Sequence, residues 1–350
     1  MSFTVWHAGN PAEAGEWLRA WNEWPEREVF AHPAYVRLFE TDENRAACAV
    51  WRDGAATVLF PLLIRRISLA GAPPCHDLST PYGYGGPFVW GDAAVRGHVG
   101  AGFWKAYEIW TRELGAVSEF VRFNLFPDEL LDCYPGEKVY RMMNVVRTLD
   151  LPLEELWQDF DYKVRKNVRR ARTSGIQIVH DPDGARLEDF LRIYRGTMTR
   201  RQASGVYDFP ADFFRHIQAW LGGCHTFFHA VLDGSVIASE LVLLSPRHAY
   251  SFLGGTDETY FSHRPNDLLK VAIIEWCRET GRSAFVLGGG YQPLDGIFRY
   301  KLSFAPSGQR EFHIGRRILN QAAYAGLTAH RHGENPALCP HPDYFPAYRA

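Results

Sequence analysis

TFFHAVL-DG-SVIASELVLLS-PR-HAYSFLGG, residues 226–255, is the stretch on which the reading of the fold turns. Three runs rich in aromatic and β-branched residues (226–232, 235–245 and 248–255) are separated by Asp233-Gly234 and Pro246-Arg247. An Asp-Gly pair between apolar runs is a tight-hairpin signal, so the spacing predicts an antiparallel three-strand meander. Downstream, Asn266 or Asp267 is placed to cap a helix, LLKVAIIEWCRETG (268–281), that stops at Gly281. Its apolar residues Leu268, Val271, Ala272, Ile274 and Trp276 recur at helical spacing. SAFVLGGG (283–290) then reads as a short buried strand running into glycines.

Working outward, the first half repeats this order more faintly. Residues 46–51 and 56–64 flank Asp53-Gly54 as a second hairpin, DLSTPYGYGGPFVW follows, and AVRGHVGAGFWKAYEIWTRELG leads as a helix into the strand SEFVRFNLF. The two Asp-Gly turns lie 180 residues apart, each followed by strand, loop, helix and strand. We read this as an internal duplication, the alternative being a chance likeness of two ordinary α/β segments. An amphipathic helix begins within Leu151–Trp157 after the strand VVRTLDL. The expected organisation is therefore a first domain at 1–148, a second at 149–325, and an irregular His- and Pro-rich extension at 326–350.

Composition bounds the function. With 350 residues, 46% hydrophobic and 22% charged, the chain has material for two cores and none of the signature of disorder. A formal net charge of −2 excludes a uniformly basic binder, so DNA is not an expected partner and any nucleic-acid contact must be a local patch. The six cysteines are tens of residues apart and none has metal-ligand spacing with another Cys or a His, so no zinc site is expected. The N-terminus lacks a basic region followed by an apolar run, and no uncharged apolar stretch approaches 18 residues. A cytoplasmic protein with no membrane span is the expectation.

Meander, loop, helix and strand in that order form the centre of the GNAT acyltransferase fold. Three motifs sharpen the likeness. DYKVRKNVRRARTSGI (161–176) resembles the segment that opens the second domain of FemABX-type proteins. GGGYQPLDGIFRYKLSF (288–304) is similar to their C-terminal signature, and PYGYGGP (81–87) recurs in FemAB-like GNAT proteins. The likeness spans about residues 28 to 315. It implies an α/β fold of tandem GNAT-like domains, each a mixed, largely antiparallel sheet flanked by helices, with a substrate channel between them. Characterised members transfer an amino acid from aminoacyl-tRNA to an amine of a peptidoglycan precursor. This chain departs from many of them in lacking room for a long coiled-coil arm. It also departs from ordinary acetyl-CoA-dependent GNAT proteins, whose loop after the third strand carries Q/R-x-x-G-x-G/A, with glycines that aim backbone N–H groups at a pyrophosphate. Here that loop reads ETYFSHRPNDLL, without glycine.

The residues also speak for themselves. Lys163, Arg165, Lys166, Arg169, Arg170 and Arg172 place six cations within ten positions. On a helix, Lys163, Lys166 and Arg170 share one face, and Arg165, Arg169 and Arg172 an adjacent one. Such a cluster suits tRNA or another anion, or else forms a solvated face balanced by surface carboxylates. Lys301, in IFRYKLSF, has neighbours that would desolvate its ammonium. It is the candidate for stabilising an oxyanion or a donor phosphate, the alternative being a snorkelling lysine on an edge strand. Asp295 either takes a proton from the attacking amine or shapes the turn before Gly296.

Arg200, with Arg201 one register away, matches a substrate-phosphate contact in the family, as does Arg37 in the first half; an arginine fork donates two parallel hydrogen bonds to a phosphate. The alternative for Arg200 is a surface ion pair. Tyr250, Tyr291 and Tyr300 are candidates for lining the channel, the alternative for Tyr250 and Tyr291 being a place in the core. No Ser-His-Asp or Cys-His constellation stands out, so direct attack by the acceptor amine is expected. The leading reading is an aminoacyl- or acyltransferase with aminoacyl-tRNA as donor, a nucleotide- or lipid-linked cell-wall precursor as acceptor, and no tightly bound cofactor. The alternatives are an acyl-CoA-dependent N-acyltransferase for polysaccharide or natural-product assembly, and a non-catalytic RNA- or envelope-binding module.

Overall fold

A computed structural model describes residues 1–68, 74–126, 129–201, 209–334 and 344–350. Two compact units emerge. The first comprises residues 1–25, 30–141 and 312–350, and the second residues 26–29 and 142–311. Among the described residues no helix is long and apolar enough to cross a membrane.

In the first unit, β1 (Ser2–His7), α1 (Pro11–Glu23) and α2 (Pro33–Arg37) precede a long hairpin of β2 (Asn44–Arg52) and β3 (Ala56–Ile67). β4 (Cys75–Ser79) pairs antiparallel with β3, and β5 (Phe88–Gly91) with the start of β3. α3 (Ala93–Glu113) carries the chain across the sheet to β6 (Ala116–Arg122), which runs parallel to β4. That crossover is the step a parallel pair requires. α3 buries Phe103, Trp104 and Tyr107 against Phe60 and Val58 of β3, which makes an aromatic core. Short α4 (Glu129–Asp132) precedes β7 (Glu137–Thr148), whose second part lies in the other unit.

The second unit repeats the scheme. α5 (Leu153–Asp159), α6 (Tyr162–Thr173), β8 (Gln177–Asp181), α7 (Leu187–Arg200) and α8 (Ala211–Trp220) lead to the expected meander of β9 (His225–Leu232), β10 (Ser235–Leu244) and β11 (His248–Thr256). Asp233 and Gly234 both have positive φ, 48° and 81°, the conformation that a two-residue hairpin loop demands and that Asp and Gly tolerate best. α9 (Pro265–Glu279) crosses to β12 (Ala284–Gly289), parallel to β11, and α10 (Gly296–Leu302) follows. α6 is helical because Val164, Val168 and Ala171 recur on one side and are buried with Leu268, Val271 and Ile274 of α9.

The duplication is thus real in topology. Strand order is β1-β2-β3-β4-β6 in one unit and β8-β9-β10-β11-β12 in the other. The closing strand is not where the order of the chain would put it. β12 pairs antiparallel with residues 144–148 of β7, whereas β6 pairs antiparallel with residues 314–318 of β13 (Gln309–Ile318). Each sheet is completed by a strand contributed from a distant part of the sequence. After β13, α11 (Gln321–Glu334) is helical where the sequence led us to expect irregular chain beyond 326. Its Leu327 packs with Ile67, Val117 and Tyr348, and this tertiary burial supplies what a weak periodicity did not. The rest of the expected tail, residues 335–343 with Cys339, lies outside the described residues.

The helix after the meander begins earlier than its sequence suggested. Arg264, at φ 62°, is the cap and Pro265 the first helical residue, which loses nothing there because that N–H has no partner within a helix. Asn266 and Asp267 are already inside the first turn.

Candidate active site

The site is assembled within the second unit, around the end of β12. Asp295 begins it. Its Oδ1 accepts from Phe298 N at 2.7 Å and its Oδ2 from Tyr291 N at 2.7 Å and Gln292 N at 3.2 Å, so one carboxylate caps α10 and ties down the loop before it. Desolvation would raise its pKa, but the N–H groups of Phe298, Gln292, Tyr291 and Ile297 outweigh that and hold it below the usual carboxylate range. A Cβ on Gly290 would run into this same carboxylate, so the glycine is needed for close approach. An acid held ionised by backbone donors is poorly suited to cycling a proton, and the geometry is that of a cap.

Lys301 lies in α10, in a helix where one alternative had been an edge strand. Its Nζ donates to Gly289 O at 2.6 Å, which draws the ammonium over the end of β12. Burial, with the like charge of Lys270, brings its pKa down from 10.5 to about 8, although Glu240 and Asp295 pull the other way. Next to it on α10, Tyr300 has a buried hydroxyl with no hydrogen-bond partner among the described residues. Burial first, then Asp267 and Glu240, push that phenol's pKa well above its usual value, so it is a neutral donor.

Beneath lies a second buried lysine that the sequence did not flag. Lys270 of α9 donates to both carboxylate oxygens of Glu240 on β10, the longer contact being 2.6 Å, and to Ser251 Oγ on β11 at 2.9 Å. Both residues of the pair are buried, and the Lys270 ammonium also sits 5.4 Å from the Phe285 ring centroid on β12. A signal existed in the sequence: a carboxylate within SELVLL and an ammonium within LLKVAII each interrupt an apolar run at a core position.

The other expected residues fall as follows. Arg200, at the end of α7, donates from Nη1 to Thr256 O at 3.1 Å and lies over the Phe261 ring at 4.9 Å. This holds the guanidinium and leaves the rest of its fork without a partner among the described residues. Arg201 follows it, exposed. Tyr291 is 49% exposed beside Asp295. Tyr250 is instead buried, its hydroxyl donating to Glu28 Oε2 at 2.7 Å, a carboxylate that also accepts from Ser245. Arg37 belongs to the first unit, exposed on α2 and 3.6 Å from Glu40.

Helix α6 divides its cations. Arg165 donates to the carbonyls of Gln158 and Phe160, Arg169 and Arg172 lie over Trp157 at 5.8 and 5.7 Å, and Arg172 reaches Glu275 at 3.8 Å. These three hold α6 to its neighbours. Lys163, Lys166 and Arg170 are exposed, and no hydrogen bond or ion pair of their side chains occurs among the described residues. Asn167 links this helix to α9 by donating to Asp267 Oδ1 at 3.1 Å. Burial raises the Asp267 pKa despite that bond and the charges of Arg264 and Lys163.

A Ser-His-Asp line does exist, from residues too far apart to notice in the sequence. Ser239 Oγ meets His229 Nδ1 at 2.9 Å, and His229 Nε2 meets Asp181 Oδ2 at 3.2 Å. All three are buried, and Asp181 is occupied in accepting from Ala185 N and Arg186 N ahead of α7. No surface is left for a scissile carbonyl, so the line is a strap between strands. Among the described residues no group of three His, Cys, Asp or Glu side chains is placed to hold a metal ion.

The class follows from this frame together with one sequence comparison: residues 158–302 match the family described as the acetyltransferase (GNAT) domain. This stretch of the second unit is a GNAT-type domain, and the class it supports is an acyltransferase. The chain's two-unit fold is similar to that of several solved structures. The crystal structure of FemX superposes with a TM-score of 0.68 at 15% identity, covering 89% of this chain and 97% of that one. The C-terminal domain of a putative lysylphosphatidylglycerol synthetase from Agrobacterium fabrum gives 0.54 at 13% identity, covering 91% and 97%. A tandem GNAT protein from the clavulanic acid biosynthesis pathway gives 0.52 at 12% identity, covering 91% and 99%. No curated protein matches the chain in sequence.

Proposed function

We propose that this acyltransferase takes an aminoacyl group from aminoacyl-tRNA and forms an amide on an amine of a phosphate-bearing cell-wall precursor. The observation that carries the choice of donor is the N-terminus of α9, where a CoA-dependent GNAT protein would seat a pyrophosphate. Here Pro265 offers no N–H and the buried Asp267 carboxylate occupies the first turn. A helix start already filled by its own acid repels a second anion instead of attracting one. The exposed cations Lys163, Lys166 and Arg170 supply a surface for a tRNA backbone, and the FemX-like architecture agrees with this reading.

In the reaction the acceptor's neutral amine attacks the ester carbonyl and the oxyanion forms. It then collapses, the carbon–oxygen bond to the tRNA ribose breaks, and the amine's proton passes to the departing ribose oxygen to leave a hydroxyl. Lys301 supplies positive charge where the oxyanion or a substrate phosphate develops. Asp295 holds Lys301's helix in place, Arg200 and Arg37 offer forks to phosphate, and Tyr291 and Tyr300 contact substrate. Tyr250 acts at one remove, through Glu28. The test is incubation of the full chain with charged tRNA and a nucleotide-linked muropeptide, alongside labelled acetyl-CoA with the same acceptor. Label should pass from tRNA to muropeptide. Transfer from acetyl-CoA in the absence of tRNA would overturn the donor, and salt-sensitive tRNA binding without transfer would reduce the protein to a binding module.

A further inference from the structure

Glu240 and Lys270 raise a question that packing does not answer. A buried ion pair is at best neutral against apolar residues of similar size, and their neighbours Leu241, Val242, Val271 and Ile274 are all buried and apolar. Something other than stability accounts for the pair. Its location is informative. Lys270 lies over Phe285 and Lys301 donates to Gly289, so two ammonium groups lie against the same strand, β12, at positions four residues apart. A carboxylate embraces the inner of the two with both oxygens, and Ser251 fixes its third direction.

We propose that Glu240 and Lys270 are a positioning pair that acts through Lys301, the carboxylate screening the outer ammonium from the inner one so that Lys301 stays charged at the pH of transfer. This rests on the reading of Lys301 given above. The groups that act on Lys301 are Lys270 from α9, Glu240 from β10 and Asp295 at the cap of its own helix, with the phenol of Tyr300 a neutral neighbour. Without Lys270, Glu240 would hold Lys301 protonated more strongly. Without Glu240, Lys270 would drive the proton off. A merely structural pair would make the two losses look alike, whereas this one makes them opposite.

The chain has six lysines, so the Lys301 ammonium can be followed by side-chain NMR of the full-length protein, assigned with Lys301→Met. Glu240→Gln should move the Lys301 titration about one pH unit lower, Lys270→Met about one unit higher, and the double variant should return near wild type. Shifts of the same sense, or none, in folded variants overturn the proposal. If Glu240→Gln does not fold, Lys270→Met against the double variant decides: the single must titrate about one unit higher, and equal values overturn the pair's role. The alkaline limb of the transfer rate should follow the NMR shifts. A limb that stays put while the titration moves would leave the coupling standing and remove Lys301 from the transfer step, so the two failures are distinguishable.

Discussion

Among the buried carboxylates of the two units, Glu119 in the first and Glu240 in the second are neutralised by opposite means. In the first unit Glu119, 1% exposed, accepts from the hydroxyls of Tyr107 and Tyr134. In the second, Glu240 holds an ammonium. Burial raises the pKa of Glu119, against the two phenols and Arg317, and the result is a satisfied polar knot inside a wall of Phe60, Phe103 and Trp104. Glu240 keeps a full charge pair next to a third ionisable group, Lys301. The same topology therefore meets these two acids differently, Glu119 with neutral hydroxyls and Glu240 with an ammonium that stays electrostatically live, while Asp77 of the first unit, also buried, pairs with Arg65 and Arg349. Hydroxyls satisfy a carboxylate without adding a second desolvated charge.

The largest expected effect tests whether chemistry sits only in the live unit. Lys301→Met should lower kcat by about 100- to 1,000-fold, as loss of an oxyanion donor does, with Tm unchanged or raised; near-normal turnover would break the comparison. Next, Tyr107→Phe in the quiet unit should cost about 1.5–3 kcal/mol of stability, read by denaturant melts, because it removes a donor from a charged acceptor. Its kcat should stay at wild type. A fall in kcat beyond the unfolded fraction would place function in both units.

Proton linkage sharpens the contrast. Lys301's folded pKa of about 8 lies below its ordinary 10.5, so between those values the unfolded chain holds more protons than the folded one. This group therefore adds stability as pH rises across that window, while transfer falls above pH 8 as the ammonium is lost. Lys301→Met should abolish both trends, the first measured by melts at pH 7.5 to 10 (roughly the span of the shift) and the second by initial rates. The smallest effect separates the two faces of α6. Replacing Lys163, Lys166 and Arg170 by Gln should reduce the salt slope of tRNA binding by about 2–3 without affecting Tm. Replacing Arg169 and Arg172, which lie over Trp157, should instead lower Tm by a few degrees, an effect of roughly 1 kcal/mol in total.

Much of the fold was legible because it is local. Asp233-Gly234 announced its hairpin, Leu268, Val271 and Ile274 announced α9, and SAFVLGGG marked β12, whereas the helix that carries Lys301 was not foreseen. The closing strands were not legible. β7 and β13 have ordinary strand composition, and nothing in a period-two pattern says which sheet a strand will join. The start of α9 was misplaced by two to three residues because a helix tolerates Pro265 at its first position and an Asp in its first turn equally well.

The sequence alone determined the class of fold, its duplication, and the presence of one lysine and one arginine-rich helix suited to anions. Turn chemistry and helical spacing act over a few residues and leave their mark there. Tertiary structure alone decided that Glu240, Lys270 and Lys301, 30 and 31 residues apart in succession, meet around β12. It also decided that Ser239, His229 and Asp181 form a sealed strap, and that three of the six α6 cations are spent on the protein itself. Charges act through space, and which of them become neighbours is set by the register of strands and the packing of a helix across them.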